Sequence, residues 1–337
     1  EGDRLTPEEG VQLFEAPLPI LSQLADHRRK QIHKNEIVTF VIDYNLMYTN
    51  SCYVACKFCA FYRLPNDAEV YLVPNEEIIK RIQKLVDVGG TTLLIQGGVN
   101  PDLDLAYYTK LFNDIKQTYP HLYIHSLSAT EIDHVARKDK MSVKEVLQAL
   151  NQAGLDSLPG AAELLVDRVR QEISPLKMNK ARWLEIMEAA HAIGMESTAT
   201  MTFGFGESFA ERIEHLMTIR DLQDKTGKVR AFIPWTFTPQ HTELAHIPPA
   251  GGYDYLRTLA ISRLMLDNVK HLHAGWVTEG HKLAQIGLSY GANDLGGTLL
   301  EEEVVSATGV HYATTPKDLI QLARNAGKIP AQRNSQY

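Results

Sequence analysis

The chain has 337 residues, 44% of them hydrophobic and 22% charged, with a formal net charge of -7 at pH 7. That length holds one large barrel or two domains; the acidic balance gives no electrostatic footprint for nucleic acid or an anionic membrane, and no apolar run is long enough to span a bilayer. The opening EGDRLTPEE is too acidic and polar for a signal peptide, and an odd, clustered set of cysteines suits a reducing compartment, so the sequence predicts a cytoplasmic protein without nucleic-acid or membrane partners.

Residues 1–35 read as an N-terminal helical cap. Thr6 and Glu9 form a capping box, Pro17 and Pro19 separate two helices, and Ile20, Leu21, Leu24 and His27 mark the apolar stripe of the second. Strand and helix then alternate from 36 to 328. Residues 36–43 (EIVTFVID) are apolar and β-branched enough for a buried parallel strand. Asn75 is the expected cap of a helix carrying Ile78, Ile79, Ile82 and Leu85, which stops at Gly89-Gly90. Further strands are predicted at 91–96, 122–127, 155–158, 196–203, 229–237, 271–276 and 292–294. The helices between them cover 103–118, a segment from Ser142 to Gly154, 161–173, 180–193, 209–222, 253–269 and 279–290, with 299–306 and 316–326 closing the chain. Eight strands each followed by helix, without a large antiparallel block, predict a (β/α)8 TIM-type barrel in one domain. The Gly pairs never form the G-x-G-x-x-G of a dinucleotide fold. Residues 329–337 are polar and read as a loosely held tail.

All three cysteines fall between the first strand and the next helix, as Cys52, Cys56 and Cys59 in a C-x3-C-x2-C spacing. Three thiolates satisfy three irons of a [4Fe-4S] cubane and leave the fourth iron open to a non-protein ligand. A structural zinc site is a second account, although closed zinc sites want four Cys or His ligands and the closest upstream histidines are His27 and His33. Unligated thiols are a third.

The spacing, with Phe58 just before the last cysteine, resembles the signature of the radical S-adenosylmethionine (SAM) enzymes. The resemblance extends through QGGVNPDL, LDSLPGAAE, TATMTFG, FIPWTF and SYGANDLGGTLLEE, over nearly the whole chain, to the radical SAM enzymes of the futalosine route to menaquinone. Two departures stand out. Residues 43–50 read DYNLMYTN against a family pattern of DRNINYTN, and residues 204–207 read GFGE against GHxE, so no role passes to this chain from the family's Arg and His. The resemblance implies a [4Fe-4S] cluster on the three cysteines, SAM as cofactor, dehypoxanthine futalosine as small-molecule substrate, and an electron donor such as flavodoxin or ferredoxin. Aminofutalosine synthase and the deazaflavin-chromophore synthase carry similar strings and imply neighbouring reactions. A non-catalytic iron-sulfur or zinc protein is the alternative of another kind.

In a barrel, chemistry gathers at the C-terminal ends of the strands. There Gly97 and Gly98 either bring backbone close to the SAM methionine, as the resemblance implies, or form the turn into a helix; Val99 stands where the family has a Glu. Ser128 is expected to cap a helix or to reach the SAM ribose. Glu163, read as opening a helix, is given to the SAM ribose or amine, and Arg170, ahead of Arg168, to its carboxylate. The resemblance implies a cyclisation of the substrate, which needs a proton acceptor, for which Asp294 is the first candidate, then Glu279 and His125. Each has a structural account beside it: a first-turn helix residue for Glu279 and a satisfied core histidine for His125.

Overall fold

The computed structural model describes residues 4–337, so residues 1–3 of the expected cap lie outside the described residues. The strands, in chain order, are β1 (Ile37–Val41), β2 (Asp43–Thr49), β3 (Thr92–Gly97), β4 (Tyr123–Ser126), β5 (Ser157–Leu158), β6 (Glu196–Phe203), β7 (Val229–Thr236), β8 (His271–Leu272), β9 (Asp294–Gly297) and β10 (Ile329–Arg333). The α-helices are α1 (Pro7–Gln12), α2 (Leu18–Ile32), α3 (Asn75–Asp87), α4 (Leu105–Thr118), α5 (Ala129–Lys138), α6 (Val143–Gln152), α7 (Asp167–Ile173), α8 (Lys180–Ala192), α9 (Phe209–Thr226), α10 (Gly252–Met265), α11 (Gly280–Gly287) and α12 (Pro316–Asn325). Strands β2 to β8 form a seven-stranded parallel sheet in sequential order, and β10-β1-β9 forms a second. The two are one ring. β1 runs into β2 across Ile42, a bridge from His273 to Asp294 joins the β8 side to β9, and β9 pairs with β1.

The expected barrel is therefore present, with its first strand longer than the sequence suggested. That strand continues through Thr49 because its outward side chains Tyr44, Leu46 and Tyr48 bury against the surrounding helices. Helix α3 turns Ile78, Ile82 and Leu85 onto the sheet. Capping boxes at Thr6, Ser128, Ser142, Ser208 and Thr315 satisfy the first amides of their helices, each contributing about 1 kcal/mol. Asn75 is not such a cap: Pro74 holds that position and no side chain caps it.

Three expectations need correction. Helix 161–173 starts only at Asp167, because Ala161 and Glu163 take left-handed backbone conformations (φ 40° and 43°) that an α-helix cannot include. Helix 299–306 is instead an irregular loop ending in a short 3-10 turn at Ser306–Thr308, with positive φ at Leu299 and Glu301. The tail is not loose. Residues Ile329–Arg333 pair in parallel with β1, and the Arg333 guanidinium closes an ion pair with the fully buried Asp294.

The N-terminal helices pack on one side of the ring. Phe14 stacks on Phe209 at 4.2 Å between ring centroids, and Arg257 donates to the backbone carbonyls of Phe14 and Ala16.

Candidate active site

Alternation along β2 sends Asp43, Asn45 and Met47 into the barrel, and each lines a different level of one interior space. The strand then delivers the cysteine loop to the rim. Cys52 N–H donates to the Arg63 carbonyl at 2.9 Å and Arg63 N–H to that of Asn50 at 2.8 Å, pinching the loop at its base. Lys57 N–H donates to the Ile173 carbonyl at 2.8 Å, which ties the loop's tip to the end of α7. Gly98 makes this approach possible: a Cβ there would lie 2.2 Å from the Ser51 carbonyl oxygen and 2.7 Å from Cys52 Cβ. A Cβ on Gly97 would meet the Tyr48 ring at 2.6 Å. Gly97 thus serves the packing of β3 against β2, and Gly98 the close approach of the cysteine loop.

Cys52, Cys56 and Cys59 line one cavity of about 200 Å³ together with Phe58, Ser128, Glu163 and Lys177. Burial pushes the Cys56 thiol up to about 12, against the pull of Lys177, and pushes Cys59 up as well. A cationic centre reverses that cost by taking thiolates as ligands. Among the described residues no group of three or more His, Cys, Asp or Glu converges as for a single ion. Three thiols lining one cavity are the donor set that a [4Fe-4S] cluster with one open iron takes.

Glu163 and Lys177 face the thiols from across this cavity. Lys177 Nζ donates to Glu163 Oε1 at 2.5 Å, while Glu163 Oε2 is buried without a hydrogen-bond donor. Lys177 was not singled out from the sequence, since a lysine in the turn after α7 reads as surface. Arg170 stands behind the cavity wall. It donates to the carbonyls of Ala162 and Met178 at 2.8 and 2.9 Å and lies 3.6 Å from Glu163, so its observed work is to hold the 161–163 turn. Arg168 is on the outer surface, paired with Glu211 and Glu172, and is corrected out of the site. Ser128 caps α5 and also borders the thiol cavity.

Below the thiols the space continues. The thiol cavity shares Phe58, Gln96 and Glu163 with a middle chamber of about 250 Å³. That chamber shares Leu94, Trp235 and Thr278 with a lower chamber of about 150 Å³. Asn45 Oδ1 is buried against the middle chamber with no donor, a polar contact left open on its wall. Neither Asp43 nor Asn45 was picked out as a site residue in the sequence; the signal was two polar residues, at 43 and 45, on one face of the strand.

Of the three expected proton acceptors, only His125 lines one of these chambers. Asp294 is fully buried, accepts from Thr39 and Arg333, and stands 3.1 Å from His273; against the opposing effect of burial, the Arg333 guanidinium and the Thr39 hydroxyl hold its carboxyl well below the ordinary range. Both its oxygens are engaged, so it is corrected from base to structural anion. Glu279 Oε1 accepts from Thr236 N–H at 2.9 Å, Thr236 Oγ1 at 2.6 Å and Thr278 Oγ1 at 2.9 Å. It caps no helix with its side chain, contrary to the first-turn account, and positions two threonines of the chamber wall. His125 borders the lower chamber with Nδ1 2.7 Å from Ser157 Oγ, and burial followed by Arg230 keeps its ring neutral.

A parallel barrel with a three-thiol loop after its first strand defines a class, and the match to that class is direct. The chain belongs to the radical SAM superfamily, whose family model matches residues 46–219, and residues 226–337 match the family described as CofH/MqnC C-terminal region. Within that class it is closely related to cyclic dehypoxanthine futalosine synthase: it is 47% identical to the Streptomyces coelicolor protein of that name over 100% of this chain and 86% of that one. It is 37% identical to 5-amino-6-(D-ribitylamino)uracil--L-tyrosine 4-hydroxyphenyl transferase of Archaeoglobus fulgidus, over 94% of this chain and 92% of that one. The solved structure of methylornithine synthase superposes with a TM-score of 0.79 at 18% identity, covering 98% of this chain and 95% of that one, which shows the shared fold. No described helix is long and apolar enough to cross a membrane.

Proposed function

We propose that this protein is a cytoplasmic radical SAM cyclase that converts dehypoxanthine futalosine to its cyclic product. The observation that carries this reading is full-length identity of 47% to a protein of that name, in a chain whose three thiols face a cavity continuous with the barrel interior. Cys52, Cys56 and Cys59 would hold a [4Fe-4S] cluster, with Glu163, Lys177 and the backbone at Gly97-Gly98 around SAM. Together these groups supply, when bound, a 5′-deoxyadenosyl radical that takes hydrogen from C4′ of the substrate ribose.

The chain's own residues then govern what the substrate does. Asn45 Oδ1, lacking a donor, accepts a hydrogen bond from a substrate hydroxyl. Trp235, held by its N–H donation to Thr202, walls the chamber against an aromatic ring. Enclosure keeps water from the reacting carbon and holds it near the ring it must join. The electron donor is a small protein of the flavodoxin or ferredoxin class.

The test is anaerobic turnover of the reconstituted protein with reductant, SAM and dehypoxanthine futalosine, with products identified by mass. The expected result is methionine, 5′-deoxyadenosine and an organic product two hydrogens lighter than the substrate. Turnover of the enolpyruvyl benzoate substrate in its place would move the chain to aminofutalosine synthesis. Absence of SAM cleavage with either would end the enzymatic reading.

A further inference from the structure

With Asp294, Glu279 and His125 engaged elsewhere, the lower and middle chambers leave three carboxylates on their walls: Asp43, Glu163 and Glu302. Glu163 is paired with Lys177 on the thiol side. Glu302 accepts from the backbone N–H groups of Val305 at 2.8 Å and Ser306 at 3.0 Å, and so shapes its own loop. Asp43 is different. One oxygen, Oδ1, accepts from Leu299 N–H at 2.7 Å; the other, Oδ2, receives no hydrogen bond from the described residues. Gly297 gives the carboxylate its place, since a Cβ there would lie 2.1 Å from both Asp43 oxygens.

Asp43 also stands at the right level. It is two residues before Asn45 on the same face of β2, about 7 Å lower. Leu299, which fixes its Oδ1, lines both the middle and the lower chamber. An aromatic ring held at the waist between Trp235, Leu94 and Val277 would therefore lie between Asn45 above and Asp43 below.

We infer that Asp43 is the proton acceptor of the cyclisation, a catalytic role that rests on the function proposed above. The step balances as follows. The C4′ radical forms a carbon–carbon bond to a ring carbon that still carries its hydrogen, which leaves a cyclohexadienyl radical. The C–H bond at that carbon then breaks: its proton goes to Asp43 Oδ2, both electrons of the bond stay with the ring, and one electron leaves to a one-electron acceptor, the class to which an oxidised iron-sulfur cluster belongs, which restores the aromatic sextet. Burial pushes the Asp43 carboxyl up to about 6, opposed by the Leu299 N–H and Arg333 and reinforced by Asp294. His125 and His273 share this chamber as neutral rings, so they leave that balance intact. A carboxylate poised close to neutrality is a better acceptor than one tied in an ion pair.

The decisive variant is Asp43→Asn, which keeps the Leu299 bond and removes the basic oxygen. Reconstituted wild-type and variant protein are compared for iron content, substrate affinity by calorimetry, 5′-deoxyadenosine released and cyclic product formed. The expected result is unchanged iron and substrate affinity, deoxyadenosine release within a few-fold of wild type, and cyclic product reduced by about 10²-fold or more. Asp43→Glu should recover part of the product, and the rise of wild-type product formation through pH 6 should vanish in Asp43→Asn. A wild-type ratio of product to deoxyadenosine in Asp43→Asn overturns the assignment. Loss of substrate affinity together with deoxyadenosine overturns it equally, by making Asp43 structural. Failure of wild-type protein itself to cyclise the substrate is a separate outcome: it removes the proposed function before Asp43 is tested.

Discussion

Glu163 sits in a left-handed backbone conformation that costs a non-glycine residue on the order of 1 kcal/mol. It does so at the thiol cavity, with one oxygen on Lys177 and the other buried without a donor. In the proposed function this strained carboxylate, whose second oxygen has only Arg170 at 3.6 Å beside it, would receive a cationic ligand group such as the SAM amine. Glu163→Gln should therefore weaken SAM binding about tenfold or more while leaving iron per chain unchanged, measured by equilibrium binding on the anaerobic protein. Unaltered affinity would leave Glu163 as a turn residue. The cysteines give the complementary case. Because three thiols would ligate three irons of the proposed cluster and the chain has no fourth cysteine, Cys56→Ala should lose the visible absorption of the reconstituted protein and SAM cleavage together, with far-UV circular dichroism retained.

Among the elements, β10 shows how a short polar segment becomes structural. Its backbone pairs with β1 over five residues, and Arg333 answers an Asp294 that has no access to solvent. Removing one partner of a buried ion pair leaves the other uncompensated, so Arg333→Ala should cost about 3–5 kcal/mol in chemical denaturation. The pH dependence has a definite sign. Asp294 is held below its unfolded value, near 4, so its contribution is complete above that value and lost as pH falls through and below it. Wild-type stability should accordingly drop below about pH 4, and the drop should be shallower in Arg333→Ala, read from denaturant midpoints between pH 3 and 7.

The same element marks where sequence patterns stop being informative. The long strands and capped helices were legible because periodicity and capping are local, as in the β-branched run of β1 or the Thr6–Glu9 box. β10 was not, since IPAQR has little strand character by itself and is held by a partner nearly the whole chain away. The site divides in the same manner. The cysteine triplet declares itself by spacing; Asp43 and Lys177 acquire meaning only once the ring has closed and the turn after α7 has folded back over the thiols.

At the scale of the molecule, the three connected spaces make one interior from the thiol loop to the level of Tyr337. Two ligands that share such an interior should stabilise the fold jointly, because each binds the closed ring and not the unfolded chain. At a hundredfold excess over its dissociation constant a ligand adds about 2.7 kcal/mol. Dehypoxanthine futalosine should thus raise the melting temperature of the reconstituted protein, and Asn45→Leu should blunt that rise without lowering the melting point of the ligand-free form. An equal shift in both proteins would remove Asn45 from substrate binding.

The seam that β1 makes with β9 and β10 has a further consequence for how the ring forms. Ile37 pairs with Ile329, whereas Asp43 pairs with Thr92 and most later neighbours are joined over comparably modest lengths of chain. Closing the longer loop costs roughly 1.5 kcal/mol more in chain entropy, and contacts so distant in sequence are slow to find one another. The ring should therefore assemble strand by strand and lock last at this seam, which makes it the first place to open under native conditions. Amide exchange at β1 and β10 faster than at β6 and β7 would be the signature of that order.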